Sequence, residues 1–179
     1  MLVCSVISCK KKDQLFTNVA ASQTGISFVN KLEDKKHFNI LYYLYFYNGG
    51  GVAAGDINND GLTDLYFTAN SKGNNKLYLN KGNFQFEDIT AKAGVAGSSD
   101  WCSGVTMADV NGDGLLDIYV SAVAQFSGLK GHNELFINKG NGVFAEQSNE
   151  YGLTFSGLST QTAFFDYDKD GDLDCFLIN

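Results

Sequence analysis

Three nine-residue segments of one pattern constrain what this chain can fold into. They are Asp56-Ile-Asn-Asn-Asp-Gly-Leu-Thr-Asp64, Asp109-Val-Asn-Gly-Asp-Gly-Leu-Leu-Asp117 and Asp166-Tyr-Asp-Lys-Asp-Gly-Asp-Leu-Asp174, and their starts lie 53 and 57 residues apart. Each follows a small or apolar run (51–55, 104–108, 162–165) and leads into a run of strand formers (65–68, 118–121, 175–178). Self-similarity at this period marks an array of like units, so the repeat has to be read before any single element.

The likeness extends past the acidic segments. Residues 75–82 match 133–140 at an offset of 58, Phe84-Gln-Phe86 matches Gly142-Val-Phe144, and Ala93-Gly-Val95 matches Tyr151-Gly-Leu153. The first unit is shorter by five residues, in the polar stretch between its second and third strands, where surface loops absorb length changes. A weaker echo, Phe16-Thr-Asn-Val19 followed by Gly25-Ile26, predicts the outer strand of a preceding unit. Each unit reads as strand, acidic loop, strand, polar connection, strand, Asn-Lys-Gly turn, strand. Leu77, Leu79 and Phe86 alternate with polar neighbours, the period-two mark of a half-buried sheet. Four short antiparallel strands per roughly 50 residues is the scale of a propeller blade. The expected fold is all-β, a partial β-propeller of about three four-stranded blades. A β-sandwich is the structural alternative, but it does not require near-identical loops at near-constant spacing. The sequence ends at Asn179, directly after the strand that follows the third acidic loop. The expectation is a piece of a longer protein.

The loops have the chemistry of a hard-cation site. Calcium takes six to eight oxygens at roughly 2.3–2.6 Å, which short flexible carboxylates supply well. Positions 1, 3 and 5 offer Asp56, Asn58 and Asp60; Asp109, Asn111 and Asp113; Asp166, Asp168 and Asp170. Glycine at position 6 allows the turn that wraps them around one point. Position 7 offers a backbone carbonyl from Leu62, Leu115 or Asp172, and position 9 closes the cage with Asp64, Asp117 or Asp174. The spacing is that of the first half of an EF-hand loop, but the glutamate at position 12 is missing and strands flank the segment. Aspartates that only cap turns would explain one loop. They do not explain four oxygen donors in all three. The third loop has five carboxylates against three in each of the others, so it is expected to depend most on a cation for order. Magnesium, with tighter octahedral demands, fits less well than calcium. These expected DxDxDGxxD-type calcium sites are structural, because the loop uses all its obvious oxygens and no base stands beside it.

No catalytic constellation is legible. His37 and His132 are the only histidines and read as loop or surface residues. Glu134, Glu146 and Glu150 are carboxylates outside the loops, but nothing in the sequence arranges them as a pair. Trp101 and the run Tyr42-Tyr-Leu-Tyr-Phe-Tyr47 suit either a carbohydrate or peptide platform, or core packing and a lead-in strand to the first unit. The chain is therefore not expected to be an enzyme.

Composition narrows the partners. The net charge is −7 and no basic block exceeds three residues, so the concentrated basic footprint that nucleic acid requires is missing. Most acidic residues are aspartate, gathered in the three loops, which points to ligation rather than general solubility. With 44% hydrophobic residues, 20 glycines and no proline, the 179-residue chain can build a core rich in tight turns. None of the cysteines forms a Cys-x-x-Cys pair, and Cys102 and Cys175 read as small buried side chains. Residues 1–9, ending Val6-Ile7-Ser8-Cys9 before three lysines, read as a shortened lipoprotein signal with Cys9 as the lipid-bearing residue. That leaves 10–179 as the repeat segment, with membrane association only through a lipid anchor.

Apolar-Asp-x-Asn/Asp-x-Asp-Gly-x-x-Asp-apolar units with Asn-Lys-Gly hairpins resemble the FG-GAP/VCBS repeats of integrin-type β-propellers. The likeness is strongest to bacterial VCBS-repeat proteins that carry an ASPIC/UnbV domain and are related to cartilage acidic protein. It covers roughly residues 14–179 and is carried by Phe46-Tyr-Asn-Gly-Gly-Gly-Val-Ala53, Leu77-Tyr-Leu-Asn-Lys-Gly82 and Ala163-Phe-Phe-Asp-Tyr-Asp168. The resemblance implies calcium on the loop residues named above, about seven blades in full-length members, and secretion or anchoring as an outer-membrane lipoprotein. The functional expectation is a calcium-stabilised extracellular or cell-envelope binding or adhesion module, with a protein or glycan ligand. An accessory domain of a polysaccharide-handling enzyme and a purely structural scaffold are the alternatives.

Overall fold

The computed structural model describes residues 15–179. The leader expected at 1–9, with Cys9, lies outside the described residues. Strands β1 (Val52–Gly55), β2 (Asp64–Phe67), β3 (Lys76–Asn80) and β4 (Phe86–Asp88) form one antiparallel sheet in chain order. Strands β5 (Cys102–Ala108), β6 (Asp117–Ala122), β7 (Glu134–Asn138) and β8 (Phe144–Glu146) form a second sheet in the same order. Strands β9 (Gln161–Phe165) and β10 (Asp174–Ile178) pair as a two-stranded hairpin. The unit order read from the repeat thus holds for two four-stranded sheets, while the third unit has two strands. The arrangement is consistent with partial propeller blades, and the described residues close no ring.

Each acidic segment joins the first strand of its unit to the second, and each is closed by the same cross-strand pair. Gly55 lies opposite Asp64, Ala108 opposite Asp117, and Phe165 opposite Asp174. Position 9 is therefore both the last loop residue and the first strand residue. The Asn-Lys-Gly turns are likewise superposable. Asn80 Oδ1 accepts from Gly82 N–H and Asn138 Oδ1 from Gly140 N–H, each at 2.9 Å. Both glycines take positive φ (80° and 75°), which a side chain would strain.

The half-buried expectation needs correction for the second sheet. Every residue of β6 and β7 is buried. Ile118, Val120 and Phe136 join Tyr66, Leu77 and Val95 of the first unit in one core, while Tyr119, Leu135 and Ile137 pack with Phe164 of the third unit. The period of two survives, but it sorts side chains between two neighbouring units rather than between core and water. In β3, Tyr78 is as fully buried as Leu77, its ring edge-on to Phe67, which in turn stacks on Phe28.

Polar anchors repeat with the strands. Tyr66 Oη donates to the Val95 carbonyl (2.6 Å), and Tyr119 Oη donates to the Leu153 carbonyl (2.9 Å). Buried Asn75 and Asn133 accept from Ala69 and Ala122 N–H, each at 2.8 Å. Among the described residues Tyr78 Oη, Ser159 Oγ and Asn133 Nδ2 are buried without a partner, and the counterpart of Tyr78 in the second unit is Phe136. Tyr78→Phe should therefore leave stability unchanged or raise it by about 1 kcal/mol in urea unfolding, since it removes an unpaired polar group and keeps the ring. A loss of similar size would mean that the hydroxyl is engaged.

The first strands of the three units lie side by side, β5 between β1 and β9. Their close approach is set by residues five places before each loop: Gly51, Gly104 and Gln161. An ideal Cβ on Gly51 would sit 3.0 Å from Gly104 Cα, and one on Gly104 would run into the Thr160 carbonyl oxygen and Gln161. Hydroxyls fasten the seam, with Ser103 Oγ donating to the Ser159 carbonyl (2.7 Å) and Thr106 Oγ1 to the Thr162 carbonyl.

Three local expectations change. The 16–19 echo forms no strand; it leads into a single helical turn, α1 (Ala21–Thr24), matched by α2 (Thr90–Ala93), with Gly25 and Gly94 as left-handed caps. Gly25 sits against the Phe86 carbonyl and Gly94 faces that of Phe144, so these turns rest on the outer strand of the following unit. The run 42–47 forms turns rather than a lead-in strand: Phe46 is buried against Phe38 and Trp101, while Tyr42, Tyr45 and Tyr47 are exposed. Among the described residues both cysteines are free, Cys102 buried and Cys175 exposed. Burial pushes the Cys102 thiol up to about 12, so it has the character of an inert core residue.

Candidate metal centre

In the first loop Asp56 is the hub. Its Oδ1 accepts from Asp60 N–H (3.1 Å) and Asn58 N–H (3.3 Å), and its Oδ2 accepts from Gly61 N–H (2.7 Å). Asp109 repeats this with Asp113 N–H (3.0 Å) and Gly114 N–H (2.8 Å), and Asp166 with Lys169 N–H (2.6 Å) and Gly171 N–H (3.2 Å). At Asp56 desolvation is the largest single influence and raises the carboxyl, but the N–H groups together outweigh it and hold the carboxyl below its ordinary range. The loop backbone is wound around the position-1 carboxylate before any ion is considered.

Position 9 does something the sequence did not disclose. Asp64 and Asp117 are fully buried, and each bridges its own loop to the hairpin of its unit. Asp64 Oδ2 accepts from Ile57 N–H (3.0 Å) and Oδ1 from Asn80 N–H (2.7 Å); Asp117 accepts from Val110 (3.0 Å) and Asn138 (2.8 Å) in the same way. The asparagine then returns a bond, Asn80 Nδ2 to the Thr63 carbonyl (2.8 Å) and Asn138 Nδ2 to the Leu116 carbonyl (3.1 Å). Asn138 Nδ2 also reaches the Ile57 carbonyl in the first loop (2.8 Å), and Asn59 Nδ2 reaches the Gly114 carbonyl in the second (3.0 Å). Sequence reading took Asn80 and Asn138 only as turn formers. Their signal was present in the exact repetition of Asn-Lys-Gly, but a pairing across 81 residues is invisible without the fold.

Burial, with the nearby Asp60 and Asp56 charges adding to it, raises the Asp64 carboxyl above 3.8 despite its two N–H partners; burial with Asp113 and Asp109 does the same to Asp117. A raised folded value contributes stability fully at pH below 3.8, and this is lost as pH rises through the folded value. At neutral pH the ionised pair therefore weighs against the metal-free fold, and a cation would offset it. The rise in melting temperature on adding calcium should be largest near pH 7 and shrink as pH falls into the carboxylate range. Paired thermal scans with calcium and with chelator at pH 7, 6, 5 and 4 measure it, and a pH-independent rise would rule out these carboxylates as the source.

The third loop differs in charge and exposure. Where Asn58 and Asn111 donate Nδ2 to the next carboxylate (3.0 and 2.9 Å), this loop has Asp168 and no amide to neutralise Asp170. Asp170 is instead partnered by Asp172, which lowers the Asp170 carboxyl and raises that of Asp172. Oxygens of Asp166, Asp168 and Asp174 lie within 4.8 Å of one another, the only such convergence of three carboxylates among the described residues. Oxygens around one calcium at roughly 2.3–2.6 Å span at most about 5 Å, so this set fits such an ion. The donors are all oxygen, without sulfur or imidazole, which is the chemistry of a hard divalent cation. In the first two loops the position-9 carboxylates are engaged by backbone N–H groups, and three carboxylates do not converge.

His37 and His132 use no imidazole nitrogen in a hydrogen bond among the described residues. Glu134 is buried and held by Ser98 N–H (2.9 Å) and Ser98 Oγ (2.7 Å), and Glu146 caps Ser148 N–H (3.0 Å). Both glutamates are thus engaged by a serine backbone N–H and hydroxyl, Glu134 across 36 residues and Glu146 within its own turn.

A family model described as FG-GAP-like repeat matches residues 56–120 and 122–177. Among curated proteins, cartilage acidic protein 1 of Xenopus tropicalis is 33% identical over 137 residues, covering 74% of this chain and 20% of the relative. Cartilage acidic protein 1 of Mus musculus is 32% identical over 134 residues, covering 73% and 20%. The Homo sapiens protein of the same name is 41% identical over 73 residues, covering 40% and 11%. The chain spans about a fifth of the length of the first two relatives.

Proposed function

The chain belongs to the FG-GAP-like repeat family, and from that we propose that it is a calcium-stabilised segment of a β-propeller, a binding or adhesion module of the cell envelope or exterior without catalysis of its own. The observation that carries the reading is one loop built three times at the same register position, with oxygens of Asp166, Asp168 and Asp174 within 4.8 Å of one another, a span that one calcium coordination shell covers. The proposed ligands are Asp56, Asn58, Asp60, Leu62 and Asp64 in the first loop, Asp109, Asn111, Asp113, Leu115 and Asp117 in the second, and Asp166, Asp168, Asp170, Asp172 and Asp174 in the third. Leucine ligands act through the backbone carbonyl. An ion in each loop would hold the ends of the first two strands of its unit together, and through Asn59 and Asn138 would stiffen the neighbouring loop. The bound partner is protein or glycan, in keeping with a scaffold that has no reacting groups. Residues 10–179 form the repeat segment, and 1–9 a lipoprotein leader ending at Cys9.

Calorimetric titration of chelator-treated protein with calcium tests the reading. Three sites per chain and a calcium-dependent rise in melting temperature are expected. Unchanged unfolding in chelator and in calcium would remove the proposal.

A further inference from the structure

Two side-chain amides cross between the first unit's acidic loop and the second unit. Asn59 Nδ2, in the first loop, donates to the Gly114 carbonyl of the second loop (3.0 Å), and Asn138 Nδ2, on the second unit's hairpin, donates to the Ile57 carbonyl of the first loop (2.8 Å). Each lands on a peptide group whose other end is tied to a proposed ligand. The peptide after Ile57 gives its N–H, that of Asn58, to Asp56 Oδ1 (3.3 Å). The peptide after Gly114 gives its N–H, that of Leu115, to Asp113 Oδ1 (2.9 Å). A peptide group is planar and stiff, so holding its oxygen also sets the direction of its N–H. Asn138 closes the circuit, because its own N–H donates to Asp117 Oδ1 at position 9 of the second loop (2.8 Å).

The bases of the two loops are packed together as well. Ile57 is buried in the core against which Leu116 packs, and a methyl on Gly55 would run into Leu116 Cδ1. Both loops gather their donors alike. Asp60 N–H is shared by Asp56 Oδ1 (3.1 Å) and Asn58 Oδ1 (3.2 Å), and Asp113 N–H by Asp109 Oδ1 and Asn111 Oδ1 (3.0 Å each), so the oxygens of positions 1 and 3 converge in each. The Asn59 link is not repeated from the second loop to the third, because the second loop has Gly112 at that position, without a side chain.

We propose that the first two loops form one coupled cation unit, in which an ion in either loop raises the affinity of the other for calcium, and that Asn59 and Asn138 carry the coupling. The inference rests on reading the loops as calcium sites and adds how they fill. An exposed loop loses conformational freedom when it gathers oxygens around an ion. Each linking amide holds a peptide on which a ligand of the other loop depends, so the first ion orders part of both loops and the second binds a site already set. Repulsion between the ions opposes this. Each loop has three carboxylates, however, so one divalent ion leaves it net negative, and physiological salt screens the remainder beyond about 8 Å.

Gly61, Gly114 and Gly171 each donate N–H to the position-1 carboxylate of their own loop, so their amide resonances report the three loops separately. Calcium titration of the isotope-labelled, chelator-treated 179-residue chain gives the half-change concentration at each. Asp60→Ala disables the first loop and is read at Gly114; Asp113→Ala disables the second and is read at Gly61. The two rises multiplied together should come to about fivefold or more, the lower end of ordinary coupling between sites. Asn59→Gly copies Gly112 and suits the positive φ of 57° at this position, so the loop should keep its course. In that background the same product should fall to about twofold, and the charge lost with each aspartate cancels between the two backgrounds. A product near one in the parent, a product that Asn59→Gly leaves unchanged, or an equal rise at Gly171 would each overturn the coupling, while calcium-dependent shifts at the three glycines would still support the metal reading. Glycine amides that ignore calcium altogether would remove both.

Discussion

Gly104→Ala should lower the unfolding free energy by about 2–3 kcal/mol, the upper end of what overpacking costs. Its new methyl would meet the Thr160 carbonyl oxygen and the Cα of Gln161, which are backbone of β9 and the residue before it. Backbone cannot rotate aside as a side chain does, so β9 would have to move away from β5 and break the Ser103 and Thr106 bonds that cross the seam. Gly55→Ala is the control. Its methyl would meet Leu116 Cδ1 (2.6 Å) and Met107 Sδ (3.0 Å), the far ends of flexible side chains, and should cost about 1 kcal/mol or less. Urea unfolding of the two variants gives the comparison. Equal costs would show that β5 and β9 can separate without penalty, against the close seam described above.

Asp117→Ala should be the most damaging single change in a loop, by about 3–5 kcal/mol. It strips the buried N–H of Asn138 and the part-buried N–H of Val110 of their acceptor, and each unsatisfied buried group costs roughly 1–3 kcal/mol. Because those bonds need no ion, the loss should be as large in chelator as in calcium. Asp168→Ala sits on an exposed loop and takes one carboxylate from the converging set, so it should leave the chelated protein unchanged and reduce only the gain on adding calcium. Thermal unfolding of both variants in both conditions separates the roles. If Asp117→Ala were harmless in chelator, the bridging carboxylate would be a ligand alone, and the structural role assigned to position 9 would fail.

Much of the fold was legible because the repeat carries its own alignment. The order of strand, acidic loop, strand, strand and Asn-Lys-Gly hairpin follows from matching residues 75–82 to 133–140, and each strand of the first two units falls where that match puts it. The readings that failed were those that turned on what covers a segment rather than on its match to another unit. The aromatic run at 42–47 has strand-forming residues, but Asn39 caps it into turns, with its Oδ1 accepting from Leu41 N–H (3.0 Å). Cys175 reads as a core residue by type, yet it is exposed in the two-stranded hairpin of β9 and β10. The loop residues were legible as oxygen donors, whereas the second use of Asp64 and Asp117 was not, because their partners Asn80 and Asn138 lie 16 and 21 residues on.

What the sequence determined by itself is local and periodic: three acidic loops with their donor positions, the turn glycines and the alternation of apolar residues along each strand. These depend on neighbours within a few residues, and the same pattern written three times identifies them without knowledge of the rest. What only the tertiary structure decided is which unit each face meets. The central strands of sheet two are buried on both sides, Gly104 is where two backbones touch, and among the described residues the third loop alone gathers three carboxylates. The reason is physical. A single antiparallel sheet with alternating residues specifies two faces but not what covers them, and here the covering comes from neighbouring units whose contacts span some 50 or more residues of chain.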